Sequence, residues 1–114
     1  DQIVGKDLNW DHRNRQRIGV AVADSPNGPW RRQDKALIDA GPNRDDPDSL
    51  AVNNPAVTLR PDGGMLMVYK AIGRKNPLPF GGPVVHMVAT SDSPTGPFRK
   101  HPEPVFGAKG VMFG

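Results

Sequence analysis

The chain has 114 residues, with 15 Lys and Arg against 12 Asp and Glu, and it contains no cysteine. Its net charge of +3 comes from scattered side chains and not from a basic stripe with interleaved aromatic residues, which argues against a nucleic-acid partner. No run of about 18 apolar residues is present, so the sequence predicts no membrane-spanning helix. The lack of cysteine excludes disulfides and thiolate metal sites.

The first third of the chain is predicted to be the second half of a four-stranded unit. A polar loop over residues 7–16 precedes a small apolar strand at residues 17–23, which we expect to be buried on both faces. A turn leads from it to a partner strand that closes at Leu37 and Ile38. We therefore assign residues 1–39 to strands C and D of one unit and residues 40–53 to a polar link.

Residues 54–106 are predicted to form one complete four-stranded antiparallel unit. Apolar runs alternate with Gly- and Pro-rich turns, and the first turn, Pro61-Asp62-Gly63-Gly64, is typical of a hairpin. The predicted strands cover, in order, residues 55–60, 65–71, 84–90 and 98–101. Residues 107–114 begin a link to a further unit, and nothing in the chain has the periodicity of a helix.

Two segments that lie 68 residues apart share the same turn chemistry. Residues 23–31 match residues 91–99, each with the string Asp-Ser-Pro-x-Gly-Pro. A fixed period indicates a repeated unit, and a four-stranded repeat is typical of β-propeller blades. The period exceeds the roughly 40 to 50 residues of WD40 and kelch repeats, and a propeller needs typically four or more blades. We therefore expect an all-β interior fragment of a longer chain, about one and a half four-stranded antiparallel blades of a β-propeller.

Strand direction predicts which loops share an end of the unit. In an up-and-down sheet, the start of the first strand and the loop between the second and third strands lie at one end. The Asp-Ser-Pro turns and the turn at Pro61 lie at the other end, where Asp and Ser would cap the backbone and Gly would adopt a positive φ. The first end collects the residues that we predict to bind substrate, which are His12, Arg13, Arg15, Asn54, Lys70 and His86.

These side chains suit a ligand with many hydroxyl groups, since they offer hydrogen bonds to oxygen and Trp10 adds a flat ring. Structural alternatives stay open for each of them. The loop arginines also suit solvated or inter-blade ion pairs, and Asn54 also suits the start of a strand. His86 also suits a hydrogen-bonded core position, and Lys70 also suits a side chain that reaches out to solvent.

Several strings in the chain resemble those of five-bladed β-propeller glycoside hydrolases. The groups concerned are the family 43 type and the related arabinofuranosidases, fructosidases and neoagarooligosaccharide hydrolases. The strings are Arg17-Ile18-Gly19-Val20-Ala21, Asn54-Pro55-Ala56-Val57, Met67-Val68-Tyr69-Lys70-Ala71 and the stretch 89–98. The resemblance spans nearly the whole chain.

This resemblance implies hydrolysis of glycosidic bonds in plant- or algal-type oligosaccharides by two carboxylates, with a third acidic residue tuning the acid. The implied partners are the oligosaccharide and the remaining blades, with no nucleic acid and no membrane, and the implied location is periplasmic or secreted. It implies no cofactor and no metal bound by this chain, and it leaves open a structural divalent cation in the channel of the longer protein.

The family pattern places the catalytic base upstream of Asp1 and the general acid beyond Gly114. The third acid matches Asn54, an amide, which can bond a sugar hydroxyl but cannot supply the charge that raises a partner's pKa. Glu103 lies between two prolines of the fourth strand, so we reject it as the acid. We therefore expect no catalytic residue in this chain. The alternatives are a non-catalytic carbohydrate-binding propeller and a related glycoside phosphorylase or transferase.

Overall fold

Residues 12–105 are described by the computed structural model of the chain, and six β-strands form within them. The strands are β1 (Ala21–Val22), β2 (Arg31–Arg32), β3 (Ala51–Leu59), β4 (Met65–Ile72), β5 (Val84–Ser91) and β6 (Arg99–Lys100). One helical turn at residues 12–14 precedes them. The prediction of an all-β chain is confirmed for these residues. The helical turn was not predicted, because three residues are too few to leave a helical periodicity.

Strands β3 to β6 form one antiparallel sheet in the order β3-β4-β5-β6, so the predicted meander is confirmed. The turn between β3 and β4 closes through the amide of Arg60, which donates to the carbonyl of Gly64 over 2.7 Å. Gly63 has a φ of 90° in this turn, a conformation that glycine adopts without steric cost. The apolar runs on either side therefore pair as neighbours from end to end.

Side chains alternate between the two faces of this sheet. One face, here called the covered face, consists of side chains that are all buried, namely Val52, Met67, Tyr69, Ala71, Val85, Met87 and Ala89. Ile18 and Ile38, which form a β-bridge with each other, belong to the same buried cluster, and Leu37 and Phe98 pack against it. The core therefore lies between the sheet and the segment that carries β1 and β2.

The repeat in the sequence is also a repeat in hydrogen bonding. Gly28 and Gly96 both have positive φ, 87° and 81°, and each precedes a cis proline. The strand pairs β1-β2 and β5-β6 share one register, shifted by 68 residues. The matched backbone bonds are Leu37 N to Ile18 O (2.7 Å) with Val105 N to His86 O (2.8 Å), and Gln33 N to Val20 O (3.1 Å) with His101 N to Val88 O (2.8 Å).

The predicted strand at residues 17–23 forms only as the bridge at Ile18 and the two-residue β1. Ile18 is the buried residue of this stretch, whereas Ala21 and Val22 are exposed. The expectation of burial on both faces is therefore wrong. The reason is that the described residues give this segment a hydrogen-bonded neighbour on one side only.

Two further boundaries differ from the prediction. Strand β3 begins at Ala51, inside the predicted link at residues 40–53, because Ala51 and Val52 extend the pairing with β4. The fourth strand of the sheet contains Arg99 and Lys100 and is shorter than the predicted 98–101. The shortened link is held to this strand by Lys100, whose Nζ donates to the Asp48 carboxylate (2.7 Å) and to the carbonyl of Asp39 (2.6 Å). Residues 107–114 lie outside the described residues.

Candidate functional site

Three polar residues lie side by side across the sheet at one end. Lys70 on β4 is directly opposite His86 on β5, and Asn53 on β3 is directly opposite Lys70. Their neighbours Tyr69 and Met87 belong to the covered face, so alternation places these three side chains on the other face. We call this set, Asn53, Lys70 and His86, the polar row. Two of its members were predicted as site residues, and the structure brings them into contact range across one strand pair.

Asn54 lies next to the polar row, in an irregularity of β3 where the register shifts between Asn53 and Ala56. It is exposed and has a φ of 51°, the left-handed conformation that asparagine tolerates better than most residues. Asn54 therefore does not start the strand, as the sequence alternative had it, but lies within it. The backbone conformation is one reason for an amide side chain at this position.

The loop at residues 12–16 lies against the polar row through Gln16. The carbonyl of Gln16 accepts from the amide of Val52 over 3.2 Å, and its side-chain oxygen accepts from Nδ2 of Asn53 over 2.5 Å. The Oδ1 atom of Asn53 is buried and has no hydrogen-bond partner among residues 12–105. A buried acceptor without a partner is uncommon, and a bound ligand or water is the usual explanation.

Arg13 lies at the same end but bonds to the protein. Its Nη1 atom donates to the carbonyl of Phe80 over 2.8 Å and to Oδ1 of Asn14 over 3.1 Å. The amide of the Asn14 side chain donates to the carbonyl of Pro79 over 2.9 Å. The predicted direct sugar contact of Arg13 is therefore replaced by a contact to the loop between β4 and β5. His12 and Arg15 flank these two residues in the same segment.

The turns with the string Asp-Ser-Pro lie at the opposite end of the sheet. The α-carbon of Gly64 approaches the carbonyl of Ser91, which puts the turn between β3 and β4 beside the turn between β5 and β6. Asp92 is exposed and forms a long ion pair of 3.9 Å with Arg99. The expectation that Asp caps this turn is wrong, because the capping bonds come from hydroxyls: the Ser91 Oγ donates to the carbonyl of Ser93 over 2.8 Å and accepts from its amide over 3.1 Å.

Sequence reasoning missed Asn14, Gln16 and Asn53 as members of this end. Asn14 and Gln16 lie in the polar loop that was singled out, and their amide side chains were a usable signal. Asn53 could have been identified only with the strand register, because the irregularity at Asn54 decides which of the two adjacent asparagines faces Lys70. The arrangement offers several hydrogen-bond donors and an open acceptor, and it contains no carboxylate.

Comparisons with known proteins found no protein-family model and no curated protein that matches the chain. Residues 12–105 contain no group of three or more His, Asp or Glu side chains placed to hold a metal ion. The same residues contain no helix long and apolar enough to cross a membrane. Function is therefore proposed from the residues of the polar row and the loops beside it.

Proposed function

We propose that the chain is part of a glycoside hydrolase of the five-bladed β-propeller type, in which the polar row helps to bind the sugar. The observation that carries this proposal is the polar row itself, with the open Oδ1 acceptor of Asn53 beside the cationic Lys70. A sugar hydroxyl both donates and accepts, so one hydroxyl could satisfy the Asn53 acceptor while accepting a bond from a neighbouring donor. An inorganic anion could use only the donors.

The exact repeat of two hairpins supports the blade interpretation. Each hairpin has the same register, the same turn and the same bonds beyond the strand ends, with a period of 68 residues. The covered face of the complete sheet packs on Ile18 and Ile38 of the preceding hairpin. Face-to-face packing of successive four-stranded units is how blades bury their apolar surface.

The proposed reaction is hydrolysis by a pair of carboxylates that other blades supply. Within this chain, the residues of the polar row bind and orient the sugar by hydrogen bonds. Asn54, at the position that matches the third acidic residue, contributes an amide and not a charge. The isolated chain is therefore expected to hydrolyse no glycoside.

A second candidate function is a propeller that binds carbohydrate without cleaving it. The observation that favours it is Asn54, whose positive φ suits an amide and whose side chain cannot tune a catalytic acid. A glycoside phosphorylase or transferase would use the same sugar contacts. Product analysis with the protein from the longer reading frame separates them: free sugar indicates hydrolysis, sugar phosphate indicates phosphorolysis, and no product indicates a binding protein.

The binding proposal is tested by titrating the chain with neutral arabino-, xylo- and agaro-oligosaccharides and following the affinity by NMR. Asn53→Ala and Lys70→Met should weaken binding about ten- to a hundredfold, since a hydrogen bond to a charged group contributes about 1.5 to 3 kcal/mol. Asn54→Gly keeps the backbone conformation at low cost, so any loss of affinity in this variant comes from the side chain.

The matched control is Asp92→Ala, an exposed polar residue in the turn at the opposite end. It should bind as the unchanged chain does. Equal losses from Asp92→Ala and Lys70→Met would contradict the assignment of the site to this end. A chain that binds none of the three oligosaccharide classes would contradict the proposed function.

A further inference from the structure

Two large apolar side chains are exposed beside the proposed sugar site. Leu78 and Phe80 are 63% and 61% exposed, and both lie in the loop between β4 and β5, at the end that carries the polar row. We call residues 76–83 of this loop the tongue. Apolar side chains that are exposed together on a folded surface often mark a binding site.

The backbone of the tongue is held at several points. The amide of Gly81 donates to the carbonyl of Pro77 over 2.9 Å, and the amide of Gly82 donates to the carbonyl of Gly73 over 2.8 Å. A side chain added at Gly81 would meet Leu50 within 2.5 Å, so the base of the tongue packs closely on the chain beneath it. The tongue is thus a built loop that presents two exposed apolar groups.

Arg13 and Asn14 hold the tongue from the neighbouring loop. They donate to the carbonyls of Phe80 and Pro79, two consecutive residues near the tip. Both donors therefore act on the backbone and leave the position of the Phe80 side chain fixed from its own peptide units. This contact explains why a guanidinium and an amide occur in sequence at this point of the loop.

The chemistry of the tongue limits what could bind there. Residues 76–83 contain no charged side chain, and beside them lie the hydrogen-bonding groups of the polar row. A ligand that fits both has an apolar face and polar edges. A neutral sugar ring has this character, because its C–H bonds form one face and its hydroxyls lie around the rim. The equivalent loop one period earlier also contains an aromatic residue, Trp10, 68 positions before Leu78.

We infer that Phe80, with Leu78, forms an apolar platform on which one ring of a neutral oligosaccharide stacks, and that Arg13 and Asn14 are positioning residues for this platform. The inference rests on the proposed function and adds a stacking subsite to it. The polar row then binds the hydroxyls of the ring that it faces, and the tongue binds a C–H face of the same ligand. An anionic sugar would gain nothing from the tongue.

The experiment compares Phe80→Ala and Phe80→Tyr in the same oligosaccharide titrations. Phe80→Ala should weaken binding about tenfold, as loss of a stacking ring does elsewhere, whereas Phe80→Tyr should keep the affinity within about twofold. Leu59→Ala is the control, since Leu59 is also apolar and 70% exposed but lies at the opposite end of β3. Leu59→Ala should leave the affinity unchanged.

The role of Asn14 is tested by Asn14→Asp, which keeps the shape but removes the donor to Pro79. Hydrogen exchange of the Gly81 and Gly82 amides should become faster, and binding should weaken several-fold. Unchanged exchange and binding would remove Asn14 from the positioning role.

Normal binding by Phe80→Ala, together with loss of binding in Asn53→Ala, would overturn the platform and leave the proposed function standing. Equal losses in Phe80→Ala and Leu59→Ala would also overturn the platform. Failure of the unchanged chain to bind any neutral oligosaccharide would overturn both proposals, and the tongue would then be a surface for another protein.

Discussion

Tyr69 is the residue whose environment departs most from the usual one. Its side chain is fully buried in the covered face, and its hydroxyl has no hydrogen-bond partner among residues 12–105. Burial, and then the negative charge of Asp48, raise the pKa of Tyr69 well above its ordinary value. The phenol is therefore neutral in the folded chain at a pH where an exposed tyrosine would ionise.

A raised pKa in the folded state gives this tyrosine a defined effect on stability. Above about pH 10, the unfolded chain loses the tyrosine proton while the folded chain keeps it, so the free energy of unfolding falls as the pH rises. Below that pH the contribution is fully present. Tyr69→Phe should raise the free energy of unfolding at pH 7 by about 1 kcal/mol, because it removes a buried hydroxyl without a partner.

The measurement is urea denaturation of both chains at pH 8 and pH 11. The advantage of Tyr69→Phe should be larger at pH 11, and lysine titration, which both chains share, cancels in the difference. Because the chain has one tyrosine, absorbance at 295 nm follows this ionisation alone. An advantage that is the same at both pH values would contradict a buried, neutral phenol.

At the residue scale, part of the site could be predicted from the sequence. Lys70 and His86 follow from counting residues along strands that turn at known positions, and the structure pairs them directly. Asn53 could not be predicted, since an irregularity in the strand changes which side chain faces which neighbour. Arg13 was assigned to the right end with a different contact, because a side chain of that length reaches several acceptors and the sequence does not rank them.

At the scale of the elements, the turn between β5 and β6 depends on buried hydroxyls. Ser91 is fully buried and bonds to both backbone groups of Ser93, whereas Asp92 points into solvent. Sequence composition treats Asp and Ser as equivalent turn formers, and only the depth of each side chain separates them. Strand lengths were overestimated for the same kind of reason, since β1 lacks the second neighbour that would extend it.

Ser91→Ala should therefore lower the free energy of unfolding by about 1 to 2 kcal/mol, because it leaves buried backbone groups without a partner. Asp92→Ala should change it by less than about 0.5 kcal/mol, as is usual for an exposed side chain. Urea denaturation of the two variants at pH 7 makes the comparison. A larger loss for Asp92→Ala than for Ser91→Ala would restore the carboxylate as the capping group.

At the scale of the whole molecule, the two repeats share hydrogen bonds but differ in burial. Ile38 is buried against the covered face, and Leu37 packs beside it. Val105, which is equivalent to Leu37 one period later, is 48% exposed. The fixed period was readable in the sequence, but this difference was not, because burial depends on which sheet face packs on each hairpin.

This asymmetry predicts that Ile38 couples the hairpin to the sheet. Ile38→Ala should lower the free energy of unfolding by about 2 to 4 kcal/mol, since it opens a cavity at a fully buried contact. In native-state hydrogen exchange, the Leu37 and Gln33 amides should lose protection, while the equivalent Val105 and His101 amides should keep it. The two amide pairs make the same backbone bonds, so each serves as the internal reference for the other. Val105→Ala, the comparison variant, should cost less than about 1 kcal/mol because that side chain is half exposed. Equal loss of protection in both hairpins would mean that residues 12–105 open as a single cooperative unit, and the docking contact at Ile38 would then have no separate role.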